Sequence, residues 1–366
     1  MSGACERCLR RARLIAQLAP RITGMLARGR RVPGLLALSE QDLIAAAGGR
    51  HKDLVRERLA SFDPDAERRD LEAAGVWAVC RHGPAYPAQL LDLPDPPAAL
   101  FGIGAPELLE LVADGPAVAV VGTRRPSPYG TEVAYALGRG LGAAGVPVVS
   151  GLALGIDATA HRGCLDGHGA PLAVLARGPE YAYPRRHRKL HEQVSQQGAV
   201  VSELPPGTAA ERWSFPARNR IMAGLARLTL VVEAADPSGS LITAEFARDL
   251  GRGVAAVPGR VTARMAEGTN GLLRDGAVPV TSTEDVLDEL YGVGMRPPPP
   301  GGTRPAPPAE AGMRLVLDAV EAGSSVDEIV ARTRASASEV RVALARLEAD
   351  GHVVRGALGG WERAAM

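Results

Sequence analysis

Seven short apolar segments recur between residues 117 and 281: AVAVV (117–121), VPVVS (146–150), PLAVL (171–175), AVVS (199–202), LTLVVE (228–233), GVAAV (253–257) and AVPVT (277–281). Stretches with helical spacing separate them. Side chains along a strand alternate between its two faces, so a strand with one wet face alternates apolar and polar residues. These segments do not alternate. Near-continuous apolar runs suit a parallel sheet covered by helices on both faces. Successive strand–helix units of this kind predict a doubly wound, Rossmann-like α/β domain, with its binding crevice at the carboxyl ends of the strands.

The flanks read differently. Within residues 1–70, LIAQLAP, MLARGR, LLALSEQDLIAAAGG and HKDLVRERLA carry apolar positions at helical spacing, broken by Gly and Pro, which predicts a small N-terminal helical domain. Its AAAGGRHKDL step is either a packing hairpin or a source of amide groups for a phosphate. Residues 71–116 are Pro-rich and transitional, and join the sheet in a domain over 71–292. RPPPPGGTRPAPP (296–308) falls in a Pro/Gly linker over 293–309. Residues 310–366 follow the order of a winged helix-turn-helix domain, three helices and a short hairpin. Ser336 or Ser338 stands where the third helix needs a cap, and Gly351 where it should end.

Composition sets limits more than it gives answers. The net charge of +1 does not by itself argue for a polyanionic partner. Lys52 and Lys189 are the only lysines, so arginine is the default cation and its clusters must be weighed by position. Eight arginines from Arg7 to Arg31, with Glu6 the single acid beside them, form either a basic arm or a solvated face. No apolar run reaches the roughly 20 residues of a spanning helix, and the Arg-rich start has no apolar leader core. A cytoplasmic protein with no membrane partner is expected. Cys5 and Cys8 form one CxxC, but a structural zinc site needs four ligands and no second pair follows it. Two ordinary thiols, and no metal, are expected.

The turns after the strands carry the chemistry. In VVGTRRPSPYG (120–130) an apolar strand meets Gly122 and Thr123, then Arg124 and Arg125, then Ser127 and Pro128 as helix cap and first helical residue. Amides, a helix N-terminus and two guanidinium groups converge there, an anion site in outline. It lacks GxGxxG and the GxxxxGK[ST] of a P-loop, so a nucleotide-cofactor reading fails on detail. SGLALGIDATAH (150–161) repeats the device with Ser150, Gly151 and Gly155. Asp157 and His161, four apart on one helix face, can pair, but no nucleophile accompanies them. FPARNRIMAGLA (215–226) places Arg218, Asn219 and Arg220 at or just before a helix N-terminus. SGSLITA (238–244) offers Ser238 and Gly239 in the same way. YPRRHRKLH (183–191) adds Arg185, Arg186, Arg188 and Lys189, with Tyr181 or Tyr183 able to stack a base, or else forms a basic helix on a solvent face.

VVGTRRPSPYG, VVSGLALGIDATAH, SELPPG, FPARNRIMAGL, VVEAADPSGSLITA, VPG and GTNGLLRDGA, in this order, resemble the DprA/Smf DNA-processing family over roughly residues 80–290. The tail resembles the winged-helix domain that many members append, and the front their sterile-alpha-motif-like or helix-hairpin-helix-like domain. LARGPEYAYP (175–184) departs from the family, with Arg177 in a turn that is usually less charged. The resemblance implies a non-enzymatic protein, without cofactor, that binds and protects incoming single-stranded DNA in natural transformation. It also implies a homodimer that loads the RecA recombinase. Phosphates would then lie along the strand-end crevice, against Arg124, the amides near Gly122, Ser150 and Gly151, and Arg218 with Arg220. The competing enzyme reading is a nucleotide phosphoribohydrolase of the lysine-decarboxylase-like type, but those enzymes carry PGGxGTxxE and the nearest stretch here is ADPSGSLITAEFA. The winged helix alone would suggest a transcription factor or a protein dock; its third helix offers Arg341 and Arg346.

Overall fold

The computed structural model describes residues 3–25, 34–295, 310–320, 324–349, 352–355 and 360–363. It divides into two units, residues 1–286 and 287–366. The first begins with four helices, α1 (Glu6–Met25), α2 (Glu40–Ala47), α3 (Lys52–Ala60) and α4 (Pro64–Ala73). Strands β1 (Trp77–Cys80) and β2 (Ala99–Gly104) follow, then α5 (Glu107–Asp114). The repeating part runs β3 (Val118–Val121), α6 (Pro128–Ala143), β4 (Val148–Ser150), α7 (Ile156–Asp166), β5 (Pro171–Leu175), α8 (Arg188–Gln197) and β6 (Ala199–Ser202). It continues with α9 (Ser214–Leu225), β7 (Leu228–Val231), α10 (Gly239–Asp249), β8 (Gly253–Ala256), α11 (Glu267–Arg274), β9 (Val278–Pro279) and α12 (Thr283–Tyr291).

All nine strands form one sheet in the order β1-β2-β6-β5-β4-β3-β7-β8-β9. The seven apolar segments are the parallel strands β3 to β9, as their lack of alternation requires. From β3 the chain winds outward through β4, β5 and β6, then returns to the other side of β3 for β7, β8 and β9. That reversal opens a crevice at the carboxyl ends of β3, β4 and β7. β3 and β7 pair in register from Val118↔Leu228 to Val121↔Val231. Helices cover both faces over a core that includes Val121, Val149, Val174, Val201 and Val231.

The transitional stretch hides two strands. β1 and β2 extend the sheet beyond β6, and both pairings there are antiparallel. The N-terminal helices pack on this end. Leu14, Leu18 and Ile22 of α1 share a core with Leu204, Trp213 and Ala217, and Trp213 Nε1 donates to the Ala19 carbonyl at 2.9 Å. Cys8, Leu9 and Ala12 pack with Val76, Cys80 and Phe101.

The second unit contains α13 (Ala311–Ala319), α14 (Val326–Thr333), α15 (Ala337–Ala349) and the antiparallel pair β10 (Val353–Arg355) and β11 (Trp361–Arg363). Val316, Ile329, Val340, Leu344, Leu347 and Trp361 are buried together. Ser336 is the cap of α15: its hydroxyl accepts from the Glu339 amide at 3.3 Å, and the Glu339 carboxylate accepts from the Ser336 amide at 2.8 Å. Gly351 and most of the predicted linker lie outside the described residues. Among the described residues no helix is long and apolar enough to cross a membrane.

Candidate nucleic-acid interface

The strand-end crevice is built as the sequence predicts, but its helix N-termini are already occupied. α6 starts at Pro128 with Ser127 as its cap. Glu233, at the end of the β7 segment, reaches across to that start. Its carboxylate accepts from the Ser127 amide at 2.8 Å and the Ser127 hydroxyl at 2.6 Å. A carboxylate at a helix N-terminus fills the place an external anion would take. Gly130 leaves the room: a Cβ there would overlap the Glu233 carboxylate. The neighbouring groups are committed too. The Thr123 amide donates to the Glu233 carbonyl at 2.7 Å, and the buried Ser150 hydroxyl donates to the Val120 carbonyl at 2.6 Å.

The second turn is filled in the same way. Asp157, in the first turn of α7, accepts from the Gly151 amide at 3.1 Å. Burial pushes the Asp157 carboxyl up and Arg218 opposes that rise. The predicted pairing of Asp157 with His161 gives way to this arrangement. His161 is fully buried, and desolvation pulls its pKa down to about 3, so the ring stays neutral. The expectation of free amides is therefore corrected at Thr123 and Gly151. The chain's own acids and carbonyls use the amides of Thr123 and Gly151, and the Ser150 side chain is buried.

The arginines separate by position. Arg218, Asn219 and Arg220 lie inside α9, which starts at Ser214, rather than before it. Helical residues two apart point to nearly opposite sides, because each residue turns the helix by 100°. Arg220 faces the interior. It is 2% exposed, its Nη2 donates to both Glu203 carboxylate oxygens at 2.8 and 2.9 Å, and its Nε lies 3.0 Å from Asp95 Oδ1. Two carboxylates neutralise it and no strand can reach it. Arg220 is a core ion pair and leaves the set of contact residues.

Arg218 lines the crevice instead. Its nearest carboxylate, Asp157, is 3.8 Å away, and its Nη2 donates to the Gly151 carbonyl at 3.3 Å. Its Nε has no protein partner. Its Nη1 donates to the Met222 sulfur at 2.8 Å, and the side chain is 6% exposed, so Arg218 forms the floor of the crevice rather than a solvent-facing cation. Gly151 permits this seat, since a Cβ there would overlap the guanidinium. Asn219 joins α9 to the start of α10 by donating to the Gly239 carbonyl at 3.1 Å. Ser238 is spent as the α10 cap, accepting from the Ser240 amide at 3.3 Å, while Gly239 is exposed with open space around it.

What remains open to solvent is a cluster of arginines on aromatic rings. The exposed Arg124 lays its guanidinium over Phe215, 5.2 Å from the ring centroid. Phe215 packs against Tyr183 with centroids 5.5 Å apart, tilted by 49°. Arg177 lies 5.3 Å over Tyr181. Arg124, Arg177, Arg218, Tyr183 and Phe215 line one pocket of about 100 Å³. That is well below the roughly 300–1,000 Å³ of an enclosed small-molecule site. Tyr181 and Tyr183 are both exposed, at 59% and 42%. Arg125, Arg185, Arg186, Arg188 and Lys189 are also exposed; Arg188 is paired with Glu192 at 3.3 Å. Phe215 and Glu233 were not read as site residues from the sequence. Phe215 could have been found as an aromatic opening the arginine-bearing α9, and Glu233 as the acid that closes the apolar LTLVVE segment.

Fold and site together define a doubly wound α/β protein that presents an open arginine–aromatic edge at its topological switch point, with a winged-helix unit after it. Residues 77–291 match the family described as DNA recombination-mediator protein A, and residues 297–357 match the DprA winged helix domain. The chain belongs to this DprA/Smf family. Protein Smf of Synechocystis sp. is 41% identical over 207 residues, 57% of this chain and 52% of that relative, so the chain spans about half the length of that relative. The X-ray structure of DNA processing protein A from Streptococcus pneumoniae aligns with a TM-score of 0.61 and 33% identity, over 78% of this chain and 96% of that one. A Helicobacter pylori DNA processing protein A, solved for its single-stranded DNA binding mode, aligns with a TM-score of 0.53 and 29% identity, over 59% and 95%.

Proposed function

We propose that this chain binds single-stranded DNA without sequence readout and without catalysis, protects incoming strands, and hands them to the RecA recombinase during transformation and recombination. The observation that carries the reading is the open Arg124–Phe215–Tyr183 stack beside Arg177 and Arg218. Bases stack on exposed aromatic rings whatever their identity, and arginines beside those rings neutralise the backbone. In this reading the exposed Arg124 takes phosphate directly, Arg218 meets from the crevice floor a phosphate that enters it, Arg125 and the run from Arg185 to Lys189 extend the basic track, and the turns at Gly122, Ser150, Gly151 and Gly239 shape the edge. Family membership supports action as a homodimer in the cytoplasm and a recombinase partner. The phosphoribohydrolase reading gains no support from a pocket too small to enclose a nucleotide.

The test is binding of a labelled oligo-dT by fluorescence anisotropy across a salt series. The log–log slope should be about 0.7 per phosphate contact, and Arg124→Ala should reduce it by about that amount. Turnover of a purine nucleotide with no strand affinity would transfer the case to the enzyme. Filament formation by RecA on a coated strand, with and without the protein, tests the loading step.

A further inference from the structure

We infer that Cys5, Cys8, Cys80 and His82 form a structural zinc site that clamps the start of α1 to the end of β1. The CxxC lacks a second ligand pair nearby in sequence, but the fold supplies one. Cys80 is the last residue of β1 and His82 lies two residues beyond it. One donor atom from each of the four residues lies within 4.8 Å of all the others. His82 Nδ1 is 3.4 Å from Cys5 Sγ and 3.3 Å from Cys8 Sγ. Tetrahedral zinc, at about 2.3 Å from sulfur and about 2.0–2.1 Å from nitrogen, places S···N edges at roughly 3.6 Å and S···S edges at roughly 3.8 Å. The observed separations need only small movements to meet those values.

The donor set and its setting agree. Three thiolates and one imidazole form a soft, closed set that selects zinc over magnesium or calcium and leaves no position for substrate. Cys8 and Cys80 are buried at 1% and 3%, while His82 is exposed and gives the ion a route in. Cys5 precedes the first residue of α1, where the helix N-terminus favours a thiolate. The Cys5 amide also points at Cys80 Sγ, 3.4 Å away. Such a clamp would tie the N-terminal helices to the antiparallel edge of the sheet, where Cys8 and Cys80 already share a core with Leu9 and Phe101. Cys164, buried within α7, stands apart from the cluster and serves as the control.

The experiment is metal analysis of the purified full chain after growth with added zinc and dialysis against metal-free buffer. About one zinc per chain is expected. Cobalt should replace it with the intense visible bands and sulfur-to-cobalt charge transfer of tetrahedral thiolate coordination. Cys8→Ser should lose the zinc. His82→Ala, at an exposed position that leaves the core intact, should release zinc to a chelator much faster, and Cys164→Ser should keep it. Three results would overturn the inference: a wild-type chain with essentially no zinc and four free thiols, a Cys5–Cys8 disulfide in its place, or full zinc retention in both Cys8→Ser and His82→Ala.

Discussion

Replacing Arg220 separates the interior of α9 from its working face. Arg220→Met keeps most of the side-chain volume but leaves Glu203 and Asp95 buried, at 7% and 3% exposure, with no cation between them. Removing one partner of a buried ion pair costs about 3–5 kcal/mol, because the surviving charge stays desolvated. At roughly 2–4 °C per kcal/mol for a unit of this size, the melting temperature should fall by about 6–20 °C. The assay is thermal and urea unfolding followed by tryptophan fluorescence in a Trp361→Phe background, so that Trp77 and Trp213 report on the first unit alone. The loss should depend on pH. Burial holds the Glu203 carboxyl above its usual range and Arg220 pulls it back down. Without Arg220 the folded state holds the Glu203 proton more tightly than the unfolded state does. The variant is then most stable below the unfolded carboxylate value of about 4.3 and weakens as pH rises through the folded one. Its deficit against the parent should narrow on acidification, and Glu203→Gln added to Arg220→Met should restore part of it. Strand affinity of the folded variant should be unchanged. A variant as stable as the parent that fails to bind DNA would refute the assignment of Arg220 to the core.

Three further outcomes follow from the same geometry. Phe215→Ala should remove one stacking platform and the ring under Arg124, weakening oligonucleotide binding by about 1–3 kcal/mol, or roughly 5- to 150-fold, with little change in salt slope; equal affinity by anisotropy would remove Phe215 from the interface. Gly151→Ala should push the Arg218 guanidinium from its seat and reduce affinity for every strand sequence alike; a competition series over different homopolymers measures this, and unchanged binding would mean that Arg218 makes no contact. His161, held neutral with its pKa near 3, binds fewer protons folded than unfolded. Its contribution is intact above about 6.5 and is lost as pH falls toward 3, so His161→Phe should flatten acid unfolding measured by circular dichroism over that range. Asp157 and Glu203, whose folded values are raised, slope the other way, so the difference between variant and parent isolates the histidine.

The parallel half of the sheet was legible because burial on both faces leaves a mark on nearly every residue of β3 to β8. β1 and β2 left no such mark. They lie at and next to the antiparallel edge, in a stretch crowded with prolines, and their hydrogen-bond partners are distant in sequence. Phe101, for example, pairs with Ala78 on one side and Ser202 on the other. The site divides along the same line. A turn that ends in a helix N-terminus is a local pattern, and the turns before α6, α7 and α10 formed where predicted, while α9 began four residues ahead of Arg218. Whether the N-terminus stays empty depends on a residue from another strand. Glu233, two residues past the end of β7, reaches the start of α6 more than 100 residues away in sequence. Position within a helix is local again: residues 218 and 220, on opposite sides of α9, could not both face the crevice. The consequence bears on how this edge works. With Glu233 and Asp157 holding the starts of α6 and α7, the amides of Thr123 and Gly151 are structural supports, and in the proposed function attraction for a polyanion would fall to guanidinium groups on aromatic rings. In the proposed function such an edge would grip by stacking and screened charge, which tolerates any base and would let a strand slide. A row of empty helix N-termini would instead fix each phosphate in one place.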